Sequence, residues 1–277
     1  MTIAYSGDNI TFPDTTTQAS AQVGMKNRVI DGGFILNQRV YVSGTSLASG
    51  VYGHDRWKGG ASGGTYTFTQ GALGVNTTIT ITAGSLIQVI EGCNVAEGGT
   101  YVLSWAGTAQ GRLNGGSYGT SGTVTVTGWT AGTNLNVEFN TGTCGSVHLE
   151  KGSTATSFDY RPYGTELQLA QRYFQRWDYT AALGSAGATA FSATKYSTGD
   201  VIVANAALLC PMRTAPTITS SNSGARAVMS GGILTTTYNN LSANGNGAIL
   251  IAATNNSISA GFGWIDQVGF LSASAEL

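Results

Sequence analysis

From about residue 65 the chain alternates apolar and polar positions with a period of two. Tyr66 and Phe68 alternate with threonine, as do Ile79 and Ile81, Val124 and Val126, and Leu135, Val137 and Phe139. Successive side chains of a strand point to opposite faces, so this period predicts half-buried strands with one face on a core. The stretches "GGASGG", "AEGG" and "LNGGSYGTSG" punctuate them at spacings expected of a β-sandwich of two packed sheets. The alternation resumes in "DVIVANAALL", "ILTTTY" and "GAILIAAT", which predicts a second, sandwich-like all-β domain over 178–277.

Between the two lies the segment Thr165 to Trp177, where the period changes. Leu167, Ala170, Phe174 and Trp177 share one face at helical spacing, Leu169 and Tyr173 a second, and Thr165 with Gln168 fits a capping box. A helix apolar on two faces has to be covered on more than one side, so it is expected to be wedged between domains or against a symmetry mate. Its Arg172 and Arg176 are expected to pair with Glu166, Asp178 or a neighbouring subunit's acids.

Composition strengthens the all-β reading. Of 277 residues 40 are Gly and only 10% are charged, against about 25% in ordinary soluble domains. Thr, Ser and Asn therefore carry the polar surface, and charge vanishes from Gly59 to Val89, where a packed neighbour is expected. A net charge of −1 without any basic run disfavours nucleic-acid binding, and no apolar run approaches membrane-spanning length. No secretory signal is recognisable at Met1, so folding in a cytosol is expected. Cys93, Cys144 and Cys210 are too scattered for a disulfide scaffold or a zinc site and read as buried free thiols.

Candidate chemistry is sparse. "GASGG" at 60–64 and "GGSYG" at 115–119 match the hydrolase pattern GxSxG, but neither has the strand before and helix after that a nucleophile elbow needs. His148 and Glu150 fall on one strand face about 7 Å apart, a solvated face or a pair that could ligate a metal or bind a polar ligand. Paired carboxylates for glycoside cleavage would come from Asp55, Glu91, Glu97, Glu138 and Glu150. Sugar binding has better material: Tyr66, Trp105, Tyr118 and Trp129 offer flat rings, and Tyr118 stands out because it lies in a Gly/Ser loop.

Several phrases together resemble bacteriophage tail-fibre and receptor-binding proteins. They are "NITFPDTTTQASA" at 9–21, "NRVIDGGFILNQR" at 27–39 with "HDRW" at 54–57, and "VHLEKGSTATSFDYRPYGTELQLAQRYF" at 147–174. "CPMRTAPTIT" at 210–219 and "GWIDQVGFLSASAEL" at the end complete the set. The chain departs from that family at Ala170, where Cys is common, and at His148, where Gln is common. The resemblance implies a virion-attachment segment over 1–27, a carbohydrate-binding-module-like jelly roll over 28–163, a linker helix over 164–177 and a β tip domain over 178–277. It further implies a non-enzymatic homotrimer of the phage virion, assembled in the bacterial host cytoplasm and held to other tail or virion proteins through 1–27. Such a trimer would attach to a host surface glycan, and Leu167, Tyr173, Phe174 and Trp177 of the linker helix would be buried between the sandwich and the tip domain or against their symmetry copies. A structural calcium is implied as an option, with Asp31 and Glu150 as the residues offered. The alternatives are a neck, collar or capsid decoration fibre without a receptor, and a tailspike-like glycan depolymerase.

Overall fold

The computed structural model describes residues 25–120, 122–178, 208–219 and 270–277, together with the backbone of the further strands given below. It is an all-β chain with one α-helix among the described residues. Near the N-terminus β1 (Ala4–Ser6), β2 (Asn9–Thr11) and β3 (Thr17–Gln18) pair antiparallel. The rest of the proposed attachment segment, up to residue 24, lies outside the described residues.

The first large unit contains β4 (Ser46–Leu47), β5 (Lys58–Thr67), β6 (Ile79–Ile90), β7 (Gly99–Ala106), β8 (Gly111–Leu113), β9 (Thr123–Trp129), β10 (Leu135–Phe139) and β11 (Gly142–Lys151). Their order is β4-β5-β6-β11-β7-β9, with β10 bridging β6 to β8. These strands form one antiparallel sheet that curls into two layers, and the long β6 serves both: Ile79–Ile81 pair with β11, whereas Leu86–Ile90 pair with β10. It bends where Gly64 faces Gly84, opposite the extra residues that β5 carries between Gly59 and Gly64. Gly84 has φ +66°, and a Cβ there would overlap Gly63 O. "GASGG" is therefore a bulge that turns a sheet corner.

Val29, Phe34, Trp57, Tyr66, Ile79, Leu86, Trp105, Val137, Phe139, Val147 and Leu149 form the core between the layers. Each contributes roughly 1.5–3 kcal/mol by leaving water. The strands predicted from Tyr66, Ile79, Ile81, Leu135, Val137 and Phe139 bury those residues. In the charge-free stretch the outward positions Ala61, Ser62, Thr80 and Thr82 are exposed, so small polar side chains solvate this face.

The helix α1 spans Tyr163–Gln171, shorter than the apolar spacing predicts, and β12 (Phe174–Tyr179) follows it. Thr165 lies inside the first turn and does not cap; Pro162 precedes the helix and no side chain bonds its free N–H groups. Pairing explains the early end. Phe174–Tyr179 form a six-residue antiparallel ladder with β20 (Gly269–Ser274), and aromatic residues suit a pleated surface.

Backbone strands β13 (Ala190–Lys195), β14 (Val201–Ala207), β16 (Gly224–Met229), β17 (Gly232–Ala243), β18 (Ala248–Thr254) and β19 (Gly261–Asp266) close into an antiparallel barrel, β13-β14-β18-β17-β16-β19. The sequence pattern found β14, β17 and β18 of this barrel but not β13, β16 and β19, and implied two facing sheets. Closure instead pairs β13 with both β14 and β19, leaving no barrel edge. A separate three-stranded sheet, β12-β20-β15 with β15 at Thr217–Ser220, lies at the entry and exit of the barrel. Backbone bonds from Arg213 N to Arg172 O and from Ala275 N to Tyr173 O, both 2.8 Å, tie it to the end of the helix.

Candidate functional site

Of the four ring candidates, two are inside the core. Tyr66 is 0% exposed and stacks on Tyr41 at 4.6 Å, and Trp105 meets Phe139 edge-on at 5.2 Å while its Nε1 donates to Ala109 O at 2.8 Å. A sugar in solvent cannot reach either, because strand alternation turns both inward. Trp129 is half-buried on the edge strand β9, its Nε1 donating to Thr133 O at 3.1 Å. Tyr118 reaches the surface as its loop predicts, but it is pinned. Its hydroxyl donates to Glu138 Oε1 at 3.1 Å, and the Arg112 guanidinium lies 4.3 Å over its ring while pairing with Glu138 at 2.7 Å. The four rings therefore do not make one platform.

The other candidates are buried inside the sandwich or held by ion pairs. His148 and Glu150 share a strand face, but that face is buried beneath the following segment rather than solvated. Glu150 accepts from Thr156 N at 2.6 Å, Phe158 stands edge-on to the imidazole at 6.2 Å, and burial holds the His148 pKa below the usual histidine range. Asp31 is 0% exposed and accepts from Ile35 N at 2.7 Å and Leu36 N at 3.0 Å, a network separate from that of Glu150. Burial pushes its carboxyl well above the usual range, with Asp55 and Glu166 adding to the effect. Asp31 and Glu150 thus do not converge as a calcium pair, and no group of three or more His, Cys, Asp or Glu suited to an ion occurs among the described residues. Glu91, Glu97 and Glu138 each face an arginine. Of the cysteines only Cys144 is buried; Cys93 is exposed and Cys210 half-buried.

The scarce charges gather where the sandwich meets the helix and the small sheet. In "HDRW" all four residues are buried. Asp55 accepts from Gln38 N at 2.7 Å and from Gln38 Nε2 at 3.0 Å. Arg56 lies 3.7 Å over the Tyr173 ring, donates to Val89 O at 2.6 Å and pairs with Glu276; Trp57 Nε1 donates to Asp31 O at 3.0 Å. Glu166 pairs with Arg161 at 2.8 Å, and Arg172 pairs with Glu91 rather than with Glu166 or Asp178. Arg176 does pair with Asp178, at 2.6 Å. Leu167 packs with Ile30, Leu36, Ala170 and Tyr173. Tyr173 and Phe174 are covered by Arg56 and Arg39 of their own chain, so they need no symmetry copy, and Trp177 is half-buried.

Beside this junction runs an open groove of about 340 Å³ that sequence reasoning missed. One wall is the 39–52 segment of the sandwich on either side of β4, with Arg39, Val51 and Tyr52; the other is one face of the small sheet. Register builds that face: Arg176 pairs with Ser272, Phe174 with Ser274, and Thr219 with Ser272, so alternate residues of the three strands project together. The signal in the sequence was the alternation Phe270, Ser272, Ser274, legible only once its partner strands are known.

The Arg39 guanidinium lies 3.6 Å from the Phe174 ring centre and 4.9 Å from that of Tyr52, while that of Arg176 lies 4.2 Å from Phe270. Tyr52 donates to Leu277 O at 2.7 Å, and burial pushes its phenol up to about 12, so it is a neutral donor. Rings, guanidinium edges and the hydroxyls of Thr219, Ser272 and Ser274 thus converge on one concave surface, the material that a polyhydroxylated ligand needs. No family model, curated protein or solved structure matches the chain.

Proposed function

We propose that this chain is an adhesion protein of the bacteriophage tail-fibre type. It is carried on the virion through residues 1–27, works as a homotrimer, and attaches to glycans of the host surface without cleaving them. The observation that carries the glycan reading is the junction groove, where ring faces, arginine edges and hydroxyls line one open concave wall. Polyvalent display fits a shallow site, because three copies on one fibre multiply weak contacts into firm attachment. The tie between sandwich and small sheet supports a passive, rigid role.

The test is a glycan array probed with the full chain and with Thr219→Trp. Thr219 is exposed at the groove and makes no side-chain hydrogen bond among the described residues, so the indole fills the groove without disturbing the fold. Binding by the native chain with at least a tenfold loss in the variant is expected. Undiminished binding in Thr219→Trp moves the site elsewhere, and no binding to any glycan favours the decoration-fibre reading. Light scattering is expected to give three times the 28.5 kDa chain mass, and a stable monomer at micromolar concentration removes the trimer.

A further inference from the structure

The charges of the groove say more than that a sugar fits. The charged residues lining it are Arg39 and Arg176, with no carboxylate among the lining groups. Their partners stand back: Asp55 and Glu276 are buried behind Arg39, and Asp178, about half exposed, lies at the outer side of Arg176.

A guanidinium carries five N–H donors in a fixed fork. Arg39 spends one bond from Nη1 on Asp55, at 3.4 Å, and one from Nη2 on Glu276, at 3.0 Å. Arg176 spends Nε and Nη2 on Asp178 and Nη1 on Arg39 O, at 3.1 Å. Its second hydrogens on Nη1 and Nη2 therefore stay unspent among the described residues, as do three donors of Arg39. The two residues are joined through the Arg39 carbonyl, and their guanidinium carbons lie over the rings of Phe174 and Phe270, at 3.6 and 4.2 Å from the ring centres, which together with their ion pairs holds both forks in place. Held guanidinium groups with spare donors recognise oxyanions that present two oxygens better than neutral hydroxyls, because two parallel charge-assisted bonds form at once. The half-exposed Asp178 carboxylate is screened by water and easily displaced by a competing anion.

We infer that the groove selects an anionic saccharide, one whose carboxylate or sulfate meets Arg39 and Arg176 while its ring lies toward Tyr52 and its hydroxyls toward Thr219 and Ser274. This rests on the glycan-groove reading above and deepens it. The experiment is titration calorimetry of the full chain with matched pairs of oligosaccharides. Galacturonate oligomers are compared with their neutral methyl esters, and sulfated with unsulfated dextran oligomers, each at 50 and 300 mM NaCl. The acid member of one pair is expected to bind at least tenfold more tightly than its neutral partner, to weaken severalfold at the higher salt, and to be lost in Thr219→Trp. Arg176→Lys keeps the charge but not the fork, and is expected to lose about tenfold for the acid member only. The carboxylate arm and the sulfate arm decide which anion is preferred. Equal binding of acid and neutral members without salt dependence overturns the anionic class and leaves the glycan groove standing. Failure of every acid member, while Thr219→Trp leaves array binding untouched, overturns both.

Discussion

His54 shows how a single buried group constrains behaviour. Tyr66 OH accepts from His54 N at 2.8 Å, so its own hydrogen goes to Nδ1, 2.9 Å away, and Nε2 keeps the ring proton for Gln70 Oε1 at 3.2 Å. Gln70 is oriented for this by donating to Phe34 O and Thr77 Oγ1. Burial pushes the His54 pKa down to about 4, against about 6.5 in an unfolded chain. The unfolded chain therefore takes the proton first, and the contribution of neutral His54 is complete above about pH 6.5 and lost as pH falls toward 4. Urea unfolding of the native chain and of His54→Gln at a series of pH values isolates this term. The stability gap between them is expected to narrow by about 3 kcal/mol from pH 7 to pH 4; a constant gap contradicts a neutral, buried His54. None of this was legible in "HDRW", because its partners Tyr66 and Gln70 stand on β5 and just after it, where only the fold brings them to the ring.

At the scale of elements, period and partner compete. Strands were legible wherever one face meets the core, as at Ile79 and Ile81 or Leu135, Val137 and Phe139, since a slip of one residue would turn all of them outward. The helix was legible in its middle, where Leu167 and Ala170 meet Ile30 and Leu36, but not at its start, which falls before Thr165, nor at its end. Phe174 and Trp177 keep helical spacing by coincidence, and a waiting strand claims them. Gln175 marks the changeover. Fully buried, it donates to Gln171 O and Cys210 O, both at 3.1 Å, and accepts from Leu209 N at 2.8 Å, joining helix, strand and the turn before β15. Gln175→Ala leaves those backbone groups without partners and is expected to cost about 2–4 kcal/mol, read from the urea midpoint. A change below 0.5 kcal/mol would show that the changeover is held elsewhere. The groove was illegible for the same reason as the strand: it exists only where β12, β15 and β20 stand side by side.

Across the whole molecule, the residues after β20 return to the sandwich. Glu276 pairs with both Arg56 and Arg39, Lys58 Nζ donates to Leu277 O at 2.6 Å, and Arg213 donates to Ala275 O at 2.8 Å. Because Arg56 is 2% exposed, deleting its partner strands a positive charge away from water. Glu276→Ala is expected to destabilise by about 3–5 kcal/mol, and calorimetry is expected to split one melting transition into two as sandwich and barrel uncouple. A single unshifted transition in the variant would show that the two units do not depend on this tie.

β12 and β20 are paired along their whole length, so the barrel begins after Tyr179 and ends before Gly269 at positions directly opposite each other in one ladder. Backbones so paired lie about 5 Å apart. Two ends that meet are not enough to exchange the barrel, however: between β14 and β16 the chain comes back to the small sheet as β15, and Leu209 and Arg213 bond Gln175 and Arg172 on the way. The barrel is therefore fastened to its base through three strands, β12, β15 and β20, and a replacement would have to supply the third strand as well as the two ends.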